Sequence, residues 1–179
     1  MMNQQPTVPN HSRSRNFKWK KPVPNLYKVN TDANLSQEGY WRMGAICRNS
    51  SNEVLEAATW KREGTNTPAE AGGFALYLAM EFAAHCGFFD VIFESDNEVL
   101  VRNLTGKEET PNLYFGNIVR GIQKREIWFR HVSYMHVNRK GSPAAHMLAQ
   151  QTLIEPNVVW LEDTPSCIVT EVHLDKYNQ

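Results

Sequence analysis

Leu26-Tyr27-Lys28-Val29-Asn30-Thr31-Asp32-Ala33-Asn34 alternates between two faces. With a period of two, Leu26, Lys28, Asn30 and Asp32 share one face, and Tyr27, Val29, Thr31 and Ala33 share the other. One face is mostly polar and ends on a carboxylate, whereas the other suits a core. The stretch reads as the first strand of a sheet. Gly39 marks the turn after it. Trp41–Arg48 (WRMGAICR) and Glu53–Lys61 (EVLEAATWK) read as two further strands, joined by the turn-forming run Asn49-Ser50-Ser51-Asn52. Three consecutive strands on short loops predict an antiparallel meander.

The period then changes. Thr67-Pro68-Ala69-Glu70 opens a helix, with threonine as the N-cap, proline in the first turn and glutamate three residues after the cap. Ala71, Phe74, Ala75, Leu78 and Phe82 recur at helical spacing, and Glu70 and Glu81 are the only charges from Ala69 to Ala84. A helix that is apolar almost all round is a buried one. Gly87 ends it. Gly72 and Gly73 each weaken a helix by about 1 kcal/mol relative to alanine, which points to close packing against a neighbour. Phe88–Asp96 (FFDVIFESD) reads as a largely buried strand and Asn97–Leu104 as a short helix. A loop at 107–112 leads to a helix at Leu113–Glu126 and a strand at Ile127–His136. Ser142-Pro143 starts a last helix over Ala144–Leu153. The order β-β-β-α-β-α-α-β-α predicts an α/β domain: a mixed five-stranded sheet flanked by helices.

This domain is expected over residues 26–154. Before it, residues 1–25 carry Pro6, Pro9, Pro22 and Pro24 among polar residues, which predicts a flexible basic arm. After it, residues 155–179 hold Glu155, Glu162, Asp163, Glu171 and Asp175 against Lys176 alone, an acidic extension. Charge is therefore segregated along the chain although Lys plus Arg, 19, equals Asp plus Glu, 19. Residues 1–31 contain six basic residues and no acid, so 13 basic and 19 acidic residues remain for 32–179. A basic arm on an acidic body is either a phosphate handle or a solvated leader. The 179 residues, 41% hydrophobic and 21% charged, exclude wholesale disorder. Cys47, Cys86 and Cys167 are few, odd in number and widely spaced, which excludes a disulfide framework and metal-type spacing. No run approaches the ~18 apolar residues of a membrane span, and Met1–Asn10 lacks the apolar core of a signal peptide. We expect an intracellular protein, nuclear or cytoplasmic, that is monomeric and makes no membrane contact.

Three carboxylates fall at special places. Asp32 ends the polar face of the first strand, Glu70 begins the buried helix, and Asp96 closes the fourth strand. If the first and fourth strands are parallel neighbours, these groups converge at the carboxyl edge of the sheet, where ligands of open sheets gather. Converging carboxylates repel and are costly to bury ionised. Divalent cations make them tolerable, and oxygen donors select Mg²⁺ or Mn²⁺. Two such ions clamp the attacking and leaving oxygens of a phosphodiester. Each residue also has an ordinary role: Glu70 in a capping box, Asp96-Asn97 as a helix cap, Asp32 in a turn.

Val29-Asn30-Thr31-Asp32, Ala69-Glu70-Ala71 and Glu94-Ser95-Asp96 resemble the carboxylate motifs of type 1 ribonuclease H domains. His136-Val137-Asn138-Arg139 followed by Ala144-Ala145-His146-Met147-Leu148-Ala149 resembles the closing motif of the plant ribonuclease H-like family related to non-LTR retroelements. Trp160 and the following Glu-Asp-Thr-Pro resemble that family's tail. The resemblance runs over about residues 26–170 and implies a ribonuclease H-like fold. It implies Asp32, Glu70 and Asp96 as ligands of two Mg²⁺ ions, with Mn²⁺ as a substitute. His146 stands where the family has a fourth acid and is the fourth expected ligand. His136 matches a mobile histidine that assists proton transfer or product release. Ser142 stands in place of an asparagine.

The implied activity is metal-dependent endonucleolytic hydrolysis of RNA in RNA–DNA hybrids, with Asp32, Glu70, Asp96, His136 and His146 as the catalytic set. Imidazole at position 146 brings nitrogen into an oxygen site, and residues 107–126 form a thin basic patch. A second reading therefore stands beside the first: a weak or inactive domain that binds nucleic acid or protein partners.

Overall fold

The computed structural model describes residues 18–107 and 113–177 of the chain. The meander forms as expected: β1 (Tyr27–Leu35), β2 (Tyr40–Arg48) and β3 (Val54–Glu63) pair antiparallel in sequence order. Helix α1 (Pro68–His85) then crosses over, and β4 (Asp90–Ser95) pairs parallel with β1. Helices α2 (Glu98–Leu104) and α3 (Leu113–Arg125) lead to β5 (His131–His136), which is parallel to β4. Helix α4 (Pro143–Gln151), the short strand β6 (Val159–Leu161) and α5 (Val169–Tyr177) follow.

Among the described residues the sheet has six strands in the order β5-β4-β1-β2-β3-β6, not five. The extra one, β6, lies antiparallel to β3 and covers an edge that would otherwise expose unpaired amides and carbonyls. The acidic segment 155–179 thus supplies a strand and a helix, and α5 buries Val172 against Ile46 and Leu148. In the segment expected as an arm, Trp19 is buried and donates from Nε1 to Asn30 Oδ1 at 2.9 Å. The rest of that arm up to residue 17, and the expected loop at 107–112 apart from Lys107, lie outside the described residues.

Two layers of helix sandwich the sheet. On one face, α1 and α3 bury Leu76, Met80 and Ile122 against Val29, Val91 and Phe93. On the other, α4 packs Ala145 and Leu148 on Ile46 and Ala57. Trp41 is fully buried in a third cluster with Met43, Ala71 and Ala75. The alternation of β1 explains the division: Val29 faces the first layer, while Lys28, Asn30 and Asp32 lie under the second. Gly44 stands opposite Asp32 on β2. A Cβ there would meet the backbone nitrogen of Ala149 at 2.5 Å, so glycine is what lets α4 come down onto the sheet beside Asp32. Gly72 serves α1 in the same way: a Cβ there would lie 2.8 Å from Asn97 Nδ2, the amide that donates to Ala69 O at 3.1 Å.

Candidate active site at the carboxyl ends of β1 and β4

The parallel register of β1 and β4 pairs Thr31 with Ser95, so Asp32 and Asp96 follow side by side at the carboxyl ends of the two strands. Asp32 is buried; its Oδ1 accepts from the Ala33 amide at 2.9 Å. Its Oδ2 lies 2.7 Å from Nδ1 of His146, on the first turns of α4. A carboxylate only accepts, so the imidazole donates from Nδ1. The Gln150 side-chain amide, one turn further along α4, lies 3.2 Å from His146 Nε2 and donates to it. Both nitrogens of His146 are thereby engaged and its tautomer is set, Nδ1 carrying the proton.

Asp96 sits just past β4, half-buried, before the N-cap residue Asn97 of α2. Burial raises its carboxyl above the ordinary range, and the charge of Asp32 raises it further. Arg139, its own backbone hydrogen bond and His136 act in the opposite direction. Arg139 Nε stands 3.8 Å from Asp96 Oδ2, and its guanidinium donates to Asn34 Oδ1 at 3.0 Å. His136, at the end of β5, donates from Nε2 to the main-chain carbonyl of Asp96 at 3.2 Å. Asp96 and Arg139 form part of the wall of a cleft of about 420 Å³.

Glu70 is buried in the first turn of α1, as its sequence context predicts, but it does not form a capping box. Thr67 is the N-cap residue and makes no side-chain cap bond. The Glu70 carboxylate instead accepts from Thr65 Oγ1. The structure therefore brings Asp32, Asp96, His136, His146 and Arg139 together, while the Glu70 carboxylate is engaged by Thr65. Gln150, Asn34 and Thr65 complete the surroundings. The spacing of His146 and Gln150, i and i+4 on a helix, is the signal that finds the first of these; no local motif marks the other two.

The donor chemistry tests whether a divalent cation fits. Asp32 and Asp96 repel, and Arg139 stands at salt-bridge rather than contact distance from Asp96. Two converging hard oxygen donors of this kind fit one Mg²⁺ or Mn²⁺ ion. The four-residue set expected for two ions is not assembled: among the described residues no group of three or more His, Cys, Asp or Glu is placed to hold a metal.

The family model described as "Reverse transcriptase-like" matches residues 30–152, a span that contains all five site residues. No curated protein matches the chain in sequence. Among solved structures, RNase H1 from the halophilic archaeon Halobacterium salinarum superposes with a TM-score of 0.68 at 21% identity, over 73% of this chain and 98% of its own. The N-terminal RNase H domain of a Mycobacterium tuberculosis protein gives 0.65 at 18% identity, over 70% and 97%. LC11-RNase H1, solved in complex with an RNA/DNA hybrid, gives 0.61 at 16% identity, over 71% and 99%. The expected fold, α/β and ribonuclease H-like, is thus the observed one.

Proposed function

The chain belongs to the reverse transcriptase-like family, and from that membership we propose a ribonuclease H-type hydrolase that cleaves RNA within RNA–DNA hybrids and needs Mg²⁺, or Mn²⁺ in its place. One observation carries the reading. Asp32 and Asp96 are packed side by side at the carboxyl ends of parallel strands, where burial and the charge of Asp32 oppose the ionisation of Asp96. A fold does not keep such a pair for stability alone, since separated or neutral side chains would be cheaper there.

Asp32 and Asp96 would hold the cation. When bound, it supplies Lewis-acid polarisation of the scissile phosphodiester. The chain's own groups do the rest. His146 fixes the Asp32 carboxylate in one rotamer through Nδ1, and Gln150 fixes His146 in turn. Arg139, tethered to Asn34, faces the cleft beside Asp96 and is placed to meet a backbone phosphate. His136 Nε2 holds a proton at the rim, close to where a leaving oxygen would need one. Recognition of the RNA strand would run through its 2′-hydroxyls across the minor groove.

A second reading, a domain that binds hybrid but hydrolyses it poorly, is favoured by Glu70, whose carboxylate Thr65 already occupies. A labelled hybrid incubated with Mg²⁺ or Mn²⁺ decides between them. The hydrolase reading expects cleavage that Asp32→Asn removes and that His146→Asp raises with Mg²⁺. Retention of hybrid without cleavage under both ions supports the second reading. Neither retention nor cleavage overturns both.

A further inference from the structure

A cavity of about 760 Å³ lies at the opposite end of the sheet from Asp32 and Asp96. It opens where β1 begins and α1 ends, and Tyr27 in its wall precedes Asp32 by five residues of strand, about 17 Å. Its size is that of a small-molecule site. We propose that this cavity binds a small organic cation with a flat apolar body, the charge held by Glu56 and Glu162.

Glu56 is the decisive group. It is only 3% exposed, lines the cavity, and its Oε2 has no hydrogen-bond partner. The Cys86 thiol, at the end of α1, hydrogen-bonds the same carboxyl group. A buried carboxyl oxygen without a donor costs about 1–3 kcal/mol, and a ligand N–H that the Glu56 carboxylate turns to meet at the cavity wall removes that deficit. Glu162 adds a second carboxylate, and among the described residues no lysine or arginine lines the cavity to compete. His85 also lines it, and its Nδ1 is engaged with the Glu81 carbonyl at 2.7 Å. The carbonyl end of α1, an 18-residue helix, also points its negative dipole toward this region. The apolar wall is Tyr27 against Phe88, ring centroids 4.4 Å apart, with Leu161 of β6 at the rim. Aromatic faces beside carboxylates suit an amidinium or arylammonium group rather than an inorganic cation.

Benzamidinium and its neutral isostere benzamide are the probes, titrated by NMR into the full-length protein at about pH 8, where Glu56 is ionised. The expected result is benzamidinium binding at least about tenfold tighter than benzamide, with shifts at Tyr27 and Phe88. Glu56→Gln should weaken benzamidinium by about tenfold and Glu162→Gln by a smaller factor. If Glu56→Gln fails to fold, Leu161→Trp, at an exposed position of β6, should obstruct the rim and abolish binding. Equal affinity for the two probes, no binding of benzamidinium up to roughly 10 mM, or undiminished binding in a folded Glu56→Gln or in Leu161→Trp overturns the proposal. Hybrid cleavage by Leu161→Trp should equal that of the parent chain, which separates this site from the one at Asp32.

Discussion

Glu94 and Asp96 stand two residues apart in the chain, and their surroundings are opposite. Glu94 is buried and compensated: Lys28 Nζ is 2.7 Å from Oε1, and Asn30 donates to Oε2 at 2.6 Å. Asn30 Oδ1 in turn accepts from Trp19 and from Arg48, at 2.9 and 3.3 Å. The Arg48 guanidinium lies over the Trp19 ring, its Cζ 3.7 Å from the centroid, and its other nitrogen reaches Asp175 on α5 at 2.7 Å. Asp96 has a like charge beside it and one arginine at 3.8 Å. The same polar face of β1 supplies both settings: Lys28 and Asn30 face Glu94, and Asp32 faces Asp96. Charge that a protein compensates internally holds the structure together, and charge it leaves uncompensated at a cleft is available to a ligand.

Exchanging each acid for its amide breaks this contrast most sharply. Asp96→Asn should reduce hybrid cleavage on the order of 10³-fold, about 4 kcal/mol of transition-state stabilisation, while leaving the urea midpoint unchanged or raised because the repulsion from Asp32 is gone. Glu94→Gln should do the reverse. It leaves the buried Lys28 ammonium without its counter-charge and should cost about 3 kcal/mol of stability, with cleavage per folded molecule retained. Similar stability losses from both substitutions, read by urea unfolding, would mean that the two acids are not different in kind.

The fold was largely legible because its long elements carry strong periods. The alternation of 26–34, the apolar run of α1 and the proline and serine at the start of α4 each announce themselves within one segment. What stayed hidden depends on partners far apart in the chain. β6 has three residues, too few for a period, and is a strand only because β3 offers an open edge. Trp19 sits among prolines and lysines and reads as part of an arm; its burial comes from Asn30 and Arg48. At the site, strand-end positions foretold the meeting of Asp32 and Asp96. The Thr65 partner of Glu70 is not legible locally, because a cap pattern at Thr67 cannot reveal that Thr65 donates to the carboxylate.

A third acid sharpens the contrast through pH. Burial pushes Glu56 up to about 7 from an ordinary 4.5, with the Cys86 hydrogen bond pulling slightly the other way. The folded state therefore holds the Glu56 proton more tightly than the unfolded chain. This contribution is fully present below about pH 4.5, declines as pH rises, and is lost above about 7, a change of about 2–3 kcal/mol. Urea midpoints measured across that window should fall with pH in the parent chain beyond what Glu56→Gln shows. Parallel profiles would mean that Glu56 is solvated in the native state.

The smallest effect is expected at the far end of the compensated network. Arg48 is fully buried, and burial lowers its proton affinity while Asp175 acts in the opposite direction. Asp175→Asn removes that counter-charge, but several features limit the damage. The amide oxygen still accepts a hydrogen bond, Asp175 is itself 14% exposed, and Asn52 Oδ1 accepts from the same arginine nitrogen at 3.3 Å. Glu94 also continues to act on Arg48 through its charge. The expected loss is about 1 kcal/mol, well below the several kcal/mol of an isolated buried pair. Because α5 is held by this contact together with Val172 and the Asn52 bond to the Val172 carbonyl, the loss should appear first as faster proteolysis within 169–177. Trp19 fluorescence, reporting the other side of the Arg48 guanidinium, should stay that of a buried indole until global unfolding. An early shift of Trp19 emission in Asp175→Asn would instead show that the two chain ends are released together, as one cooperative clamp on the sheet.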